Sequence, residues 1–388
     1  MNSEMCVVVI GGLHHNTLGV VRSLGEAKIH SESITLILSG AKIDEDNMIC
    51  KSKYLKKSPV FIVPNDSAII PVLESLAEDQ KKRIVICCSD GSAEVVMRNY
   101  DKLKTDYFTP SCSLDIGNLM DKQYQNKIAV ASGFSVPVSD VIDKHDVDIW
   151  NIYPCITKPV KSVMGGGKAD IHISDSKEDL FNALNYTKTQ YVQIQQFIKK
   201  KMEFQLIGCS LNGGEEIIIP GFTKIIRQPD NTNTGYLKYS PISELKYNRM
   251  AVNTFIKTIG YSGLFSLEFI RDEHGQDFFL EINMRNDGNA YCVKSAGVNL
   301  PYVWCYSQAY GEIPKTKTSF KKSIYFMPEF FDIKRGIKEV GVFKWIAQFF
   351  LSKSHAVFNW KDMKPFLFTF SHLLKAVKQN QRNRADHK

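Results

Sequence analysis

Four short apolar runs, Met5–Ile10 (MCVVVI), Ile34–Leu38, Val60–Val63 and Ile84–Cys88, constrain the fold of this chain more than any other feature. Each reads as a strand, and each is too continuously apolar for a strand with one wet face. Between them, the spacing of Leu18, Val21 and Leu24 predicts a helix over about 16–27, and 69–76 reads as another. Strands alternating with helices imply a parallel sheet, so the chain is expected to open as a doubly wound α/β domain. The Gly11-Gly12 turn after the first strand invites a dinucleotide reading. However, GGLHHNTLG does not fit G-x-G-x-x-G and no acid ends the second strand, so the expectation is a plain strand-to-helix turn.

With 388 residues, two or three domains follow. An ordinary balance of apolar (44%) and charged (23%) residues excludes disordered and disulfide-scaffold classes. No apolar run approaches the ~18 residues of a membrane span. The N-terminus lacks a basic leader and a cleavage site, and nine cysteines show no Cys-x-x-Cys pair. The expectation is a cytoplasmic protein with reduced thiols and no zinc site. Beyond the first domain, 113–132 reads as one long helical stretch closed by Gly133. A helix over 177–188 follows, and then a strand-rich part with runs at 216–219, 223–226, 263–270 and 278–282.

The last two runs carry the most chemistry. Gly263–Ile270 and Phe278–Ile282 are joined by the polar turn RDEHGQ, which makes them a hairpin. Each apolar strand holds one carboxylate, Glu268 or Glu281, and adjacent strands can place the two on one face. Asn283, two residues on, shares the face of Glu281. Like charges in a mostly buried hairpin need a cation or a proton between them, and Glu, Glu and Asn oxygens suit Mg²⁺. A solvent-facing strand pair with exposed acids is the equal alternative.

Two further stretches are weaker. Lys158 lies on a strand that enters the Gly165-Gly166-Gly167 loop, flanked by lysines and able to wrap phosphate oxygens. A flexible surface loop is the competing reading, and the P-loop pattern does not fit. The strand at 191–196 ends in Gln195 and Gln196, then Phe197, Ile198 and, after three lysines, Glu203. Alone, this is an ordinary strand end.

In this order the three stretches resemble the ATP-grasp superfamily, and most closely its carboxylate–amine ligases, the D-aspartate-ligase-like group. The resemblance runs over most of the chain. It includes Gly11-Gly12, Asp121-Lys122 opening the helix that ends in GFSVP137, and EINMR285 followed by AGVNLP301. It implies an α/β ATP-grasp fold with three parts: an N-terminal parallel α/β (pre-ATP-grasp) domain over 1–112, an ATP-grasp domain over 113–312 holding ATP between two subdomains, and a basic, aromatic-rich helical C-terminal region over 313–388. It further implies ATP with Mg²⁺, or Mn²⁺ in its place. Lys122 and Lys158 would contact phosphates, with the Gly165–Gly167 loop closing over them. Gln195, Gln196, Phe197 and Ile198 would meet the adenine, and Glu203 the ribose. Glu268, Glu281 and Asn283 would bind metal. Arg285 would face the acyl phosphate or carboxylate, Lys224 a phosphate, and Arg227 a carboxylate; solvated strand charges remain the alternative for Lys224 and Arg227. The implied activity joins a small carboxylate, activated as an acyl phosphate, to an amine, with release of ADP and phosphate. An ATP-binding regulatory protein of the same fold without turnover is the second reading. There are departures: an amide stands at Gln195 where an acid is frequent, Lys199–Lys201 lengthen the linker before Glu203, and Met284 replaces a frequent proline.

The net charge of +8 sits at one end of the chain. Residues 331–388 hold twelve Lys/Arg against four Asp/Glu, together with ten aromatics. No global nucleic-acid surface follows from that distribution. Helical spacing predicts helices around 342–350 and 364–378. Their apolar faces are expected either to pack on the protein body or to lie on an anionic membrane surface.

Overall fold

The computed structural model describes residues 5–159, 171–187, 189–228 and 234–385. The chain begins with β1 (Val7–Gly11), α1 (His15–Glu26), β2 (Ile34–Ser39), β3 (Val60–Val63), α2 (Ile69–Ala77), β4 (Arg83–Cys87), α3 (Asp90–Arg98), α4 (Tyr100–Leu103) and β5 (Tyr107–Phe108). The five strands form a parallel sheet in the order β3-β2-β1-β4-β5. Every residue of β1 is buried because both faces of the sheet are covered. Val7 and Val9 join Leu18, Val21 and Leu24 of α1 in one core. Val8 and Ile10 point the other way, to Ile69 and Leu73 of α2 and Val96 of α3 in a second. Gly11 ends β1 where the chain has no room for a side chain: a Cβ there would lie 2.5 Å from Thr17 Oγ1 and 2.8 Å from Cys88 Cβ. The turn therefore serves strand-to-helix packing.

The expected long helix over 113–132 is two helices, α5 (Ile116–Leu119) and α6 (Lys122–Ala131). Asp115 caps the Asn118 amide and Asp121 caps the Tyr124 amide, so each short acid starts a helix where an unbroken run was expected. A small antiparallel sheet follows, built from β6 (Ser139–Asp143), β7 (Cys155–Pro159), β8 (His172–Ser174) and β9 (Tyr191–Gln196) in the order β6-β9-β7-β8. Helix α7 (Lys177–Tyr186) closes its core through Leu180 and Leu184, against Val192 and Ile194.

The large sheet contains β10 (Lys200–Leu211), β11 (Glu216–Ile218), β12 (Gly221–Arg227), β13 (Tyr236–Pro241), β14 (Gly263–Asp272) and β15 (Asp277–Asn283), with α8 (Arg249–Ile259) between β13 and β14. Helices α9 (Tyr291–Ala296) and α10 (Leu300–Tyr310) come next. They precede β16 (Ile324–Met327), α11 (Glu329–Val340), α12 (Val342–Leu351), β17 (Ser354–His355) and α13 (Lys364–Ala385). The sheet order is β15-β14-β10-β12-β13-β16-β17, with β11 on β10. Two expectations need correction here. The lysine-rich linker before Glu203 is instead the start of the twelve-residue β10, leaving three residues between β9 and β10. Helix α11 was not foreseen, and the C-terminal region supplies two strands to the large sheet.

No helix among the described residues is long and apolar enough to cross a membrane. All nine cysteines are free thiols.

Candidate functional site

The hairpin of β14 and β15 pairs Glu268 directly with Glu281, and Ser266 with Asn283. Its neighbour β10 pairs Gln205 with Glu268. Strand alternation therefore puts Glu203, Gln205, Glu268, Glu281 and Asn283 on one face of the sheet. Glu268 Oε1 accepts from Gln205 Nε2 at 2.9 Å and from Asn283 Nδ2 at 3.1 Å. Burial, with Glu281 and then Asp287 nearby, pushes the Glu268 carboxyl up to about 8. Two amides stabilise this group, and among the described residues no positive side chain is bonded to it.

The other elements bring cations to the rim. Lys122, the first residue of α6, places its ammonium 2.5 Å from Glu281 Oε2. Lys158 on β7 donates to Gln195 Oε1 on β9 at 3.1 Å. Burial, then the charge of Lys122, lowers the Lys158 pKa, with Glu281 opposing. Arg285 donates to Asn283 Oδ1 at 3.0 Å and to Asp90 Oδ1, at the start of α3, at 2.8 Å. The exit of β15 is stitched to the carboxyl ends of the parallel strands: Asn16 Nδ2 donates to Cys88 O at 2.8 Å and Asn286 O at 2.6 Å. Arg285 thus stands where ligands of open α/β sheets are usually held, at the carboxyl end of the parallel sheet.

The structure therefore gathers Lys122, Lys158, Gln195, Glu268, Glu281, Asn283 and Arg285 into one connected set. Glu203 shares the face and is bound by Lys200 at 2.7 Å. Gln196 Oε1 accepts from the Val138 amide, and the Phe197 amide is used by Pro154 O at 2.9 Å. The Ile198 side chain is buried at that strand end. Gly165, Gly166 and Gly167 lie outside the described residues.

Two expected residues are not brought to this set. Lys224 pairs across the ladders with Phe204 and Lys238, which puts it on the face opposite Glu268, exposed. Arg227 is buried, and its guanidinium is held bidentately by Asp332 of α11 at 2.8 and 2.6 Å, with Gln348 at 3.0 Å. Its fork is committed to holding the C-terminal helices in place.

Sequence reasoning missed Gln205, Asp90, Asp287 and Asn289. Asn289 Nδ2 donates to Gln205 Oε1 at 2.9 Å, and Asp287 accepts from Ser266 at 3.0 Å. The turn-rich run NDGN directly after the hairpin was the available signal for two of them. A cavity of about 440 Å³, lined in part by Phe204, Tyr247 and Arg271, lies on the reverse face of β10 and takes in neither glutamate.

Among the described residues no group of three or more His, Cys, Asp or Glu side chains is placed to hold a metal ion. The donor set is instead two carboxylates and an amide. That set fits Mg²⁺, which keeps several waters and shares phosphate oxygens, better than an ion needing an all-protein cage. The direct cross-strand pairing of Glu268 with Glu281 is the observation that bears on this, since a cation or a proton between them relieves their repulsion.

No protein-family model and no curated protein matches the sequence. Solved structures do match. An N5-carboxyaminoimidazole synthetase from Staphylococcus aureus superposes with a TM-score of 0.59 at 17% identity, over 83% of each chain. An L-amino acid ligase from Bacillus licheniformis gives 0.55 at 15% identity, over 79% of this chain and 74% of the other. The biotin carboxylase domain of a Hydrogenobacter thermophilus 2-oxoglutarate carboxylase, solved with MgADP and bicarbonate, gives 0.59 at 16%, over 82% and 73%. At these identities the likeness speaks for the fold: the chain has an α/β fold of ATP-grasp type, with an N-terminal parallel-sheet domain and a C-terminal cluster of aromatic helices.

Proposed function

We propose that the protein is an ATP-dependent carboxylate–amine ligase, similar to the D-aspartate-ligase-like group, that activates a small carboxylate, such as an amino acid, as its acyl phosphate. An amine then displaces phosphate, and ADP and phosphate are released. The observation that carries this reading is the Glu268–Glu281 pair, flanked by the Lys122 ammonium and by Asn283 hydrogen-bonded to Arg285.

The residues divide the work by charge. Lys122 and Lys158 hold phosphate oxygens and offset the charge that develops during phosphoryl transfer. A lysine whose pKa is already lowered by burial and a neighbouring ammonium gains most from an anion placed beside it. Gln195, the Phe197 carbonyl and Ile198 line the adenine, and Glu203 takes the ribose hydroxyls. Glu268, Glu281 and Asn283 hold Mg²⁺, which when bound neutralises phosphate charge. Arg285, oriented by Asp90 and Asn283, grips the carboxylate bidentately. Lys224 and Arg227 have no part in this arrangement.

The test is a screen for ADP release over amino acids as acyl donors and over amines, with mass analysis of the product and Glu281→Gln as the inactive control. Release that depends on both a donor and an amine supports the reading. ATP binding without release, under every pair and with Mg²⁺ or Mn²⁺, favours the regulatory alternative.

A further inference from the structure

Helix α12 is the most apolar of the C-terminal helices, yet none of its residues is buried. Its inward side is formed by the half-buried Trp345, Gln348 and Phe349. Trp345 Nε1 donates to Asp332 at 2.8 Å and Gln348 Oε1 accepts from Arg227, while the Trp345 ring occupies the space a Cβ would need at Gly336. At 100° per residue the opposite side carries Phe343, Ile346, Ala347, Phe350 and Leu351. Phe343 is 90% exposed, Leu351 78% and Phe350 68%. The helix is thus turned inside out. Polar bonds fix it to the body, and its broad apolar face looks outward.

The acids of the C-terminal segment are largely withdrawn from its surface. Four acids lie between Glu329 and Ala376, and the fold removes three of them from the surface. Asp332 is buried against Arg227. Asp362 is buried against Arg22 at 3.0 Å, and Ser52 and the Lys53 amide also bind it. Glu329 is buried against the amides of Ala356, Val357 and Phe358. The fourth, Glu339, is paired with Arg335. Exposed lysines remain on α11, on α12 and after it, at Lys334, Lys338, Lys344, Lys353 and Lys361. A cavity of about 340 Å³ continues from α12, lined among others by Phe350, Lys353, Trp360 and Lys361 and by the Lys294–Glu26 pair.

We infer that the outward face of α12, with the lysines around it, seats the protein on an anionic lipid surface. An apolar face with a basic surround is the chemistry of an interfacial helix. Phe343, Ile346, Phe350 and Leu351 enter the headgroup boundary, and each lysine near the surface strengthens binding roughly fivefold. A second copy of this face is the poorer occupant, because it would bring lysines against lysines. The proposal stands independently of the ligase reading, and its test uses no nucleotide.

The experiment is flotation of the full chain with phosphatidylcholine vesicles, with and without phosphatidylglycerol, at low and high salt. The expected result is binding to the anionic vesicles only, falling severalfold as salt rises. The triple variant Phe343→Ser/Phe350→Ser/Leu351→Ser should lose at least tenfold in binding with a melting temperature close to wild type, because these side chains are mostly exposed, Phe350 resting edge-on against Phe349. Lys344→Glu/Lys353→Glu should weaken binding and flatten its salt dependence. Absence of flotation with anionic vesicles at low salt, or equal binding to neutral ones, overturns the proposal. A vesicle-free dimer that the triple variant dissolves also overturns it, in favour of self-association.

Discussion

The β14–β15 hairpin and the C-terminal helices both hide carboxylates, and they treat them in opposite ways. In the C-terminal region every buried acid has its complement within the chain: Asp332 has Arg227, Asp362 has Arg22, and Glu329 has three backbone amides. In the hairpin Glu268 faces Glu281, and its hydrogen bonds come from the neutral amides of Gln205 and Asn283. Arg227 is consumed by Asp332 in the interior, whereas Arg285 stays beside the paired glutamates with Asp90 and Asn283 as its partners, and this difference separates the two arginines more sharply than their similar place in the sequence pattern. The C-terminal helices show the same logic for apolar surface, since their acids are satisfied while the outward face of α12 is not.

The comparison breaks most directly at Glu281. Glu281→Gln should lower ADP release at least about 100-fold and leave the melting temperature unchanged or slightly higher, since it removes a like charge beside Glu268. Near wild-type release at low millimolar Mg²⁺ would show that the hairpin does not need its anions. On the other side of the comparison, Arg227→Met strands Asp332 in the interior and should cost about 3–5 kcal/mol in denaturant unfolding. Arg227→Met/Asp332→Leu should recover most of that loss. If Arg227→Met leaves stability intact while abolishing donor binding, Arg227 is a substrate residue after all.

Lys158→Ala should cut kcat/KM for ATP about 10- to 100-fold with a stability change within about 0.5 kcal/mol. Unchanged ATP kinetics would return this lysine to the solvated surface. The smallest effect concerns Glu329, whose carboxyl is raised by burial to about 7 from 4.5. Between these values the folded protein binds the proton more tightly than the unfolded chain, so Glu329 makes stability fall as pH rises from about 4.5 to about 7. Glu329→Gln removes that slope. Its unfolding free energy relative to wild type should climb across the same window and level off above it, by an amount on the order of 3 kcal/mol. A difference that does not vary with pH would mean that Glu329 is ionised throughout. His355, lowered by burial to about 4, acts in the opposite sense below pH 6.5 in both proteins and cancels from the difference.

Much of this molecule was written in local pattern. The parallel sheet was legible because Val7–Ile10 is apolar at every position, which only a strand covered on both faces tolerates. The hairpin and the shared face of Glu268, Glu281 and Asn283 were legible because strand alternation is strict and the joining turn is polar. Local pattern also misled. The run 113–132 has helical character throughout, but Asp121 serves better as a cap than as an interior residue and splits it. The start of β10 resembles a linker in sequence because Lys200 and Lys201, with Lys199 just before the strand, precede its apolar part, and Gln205 went unseen with it.

Which charges lie together was decided only in three dimensions. From sequence, Arg227 and Arg285 were both candidates for a carboxylate, and Lys158 and, more weakly, Lys224 for a phosphate. The pairing of Arg227 with Asp332, 105 residues away, and the strand parity that turns Lys224 from the site are properties of register and docking. The C-terminal face shows the same limit. The sequence set the helical spacing and the excess of lysine, so an amphipathic helix was determined in advance. Whether its apolar side turns inward depends on partners far along the chain. The polar bonds of Trp345 and Gln348 to Asp332 and Arg227 fix the rotation of α12, and that rotation leaves Phe343, Phe350 and Leu351 outside.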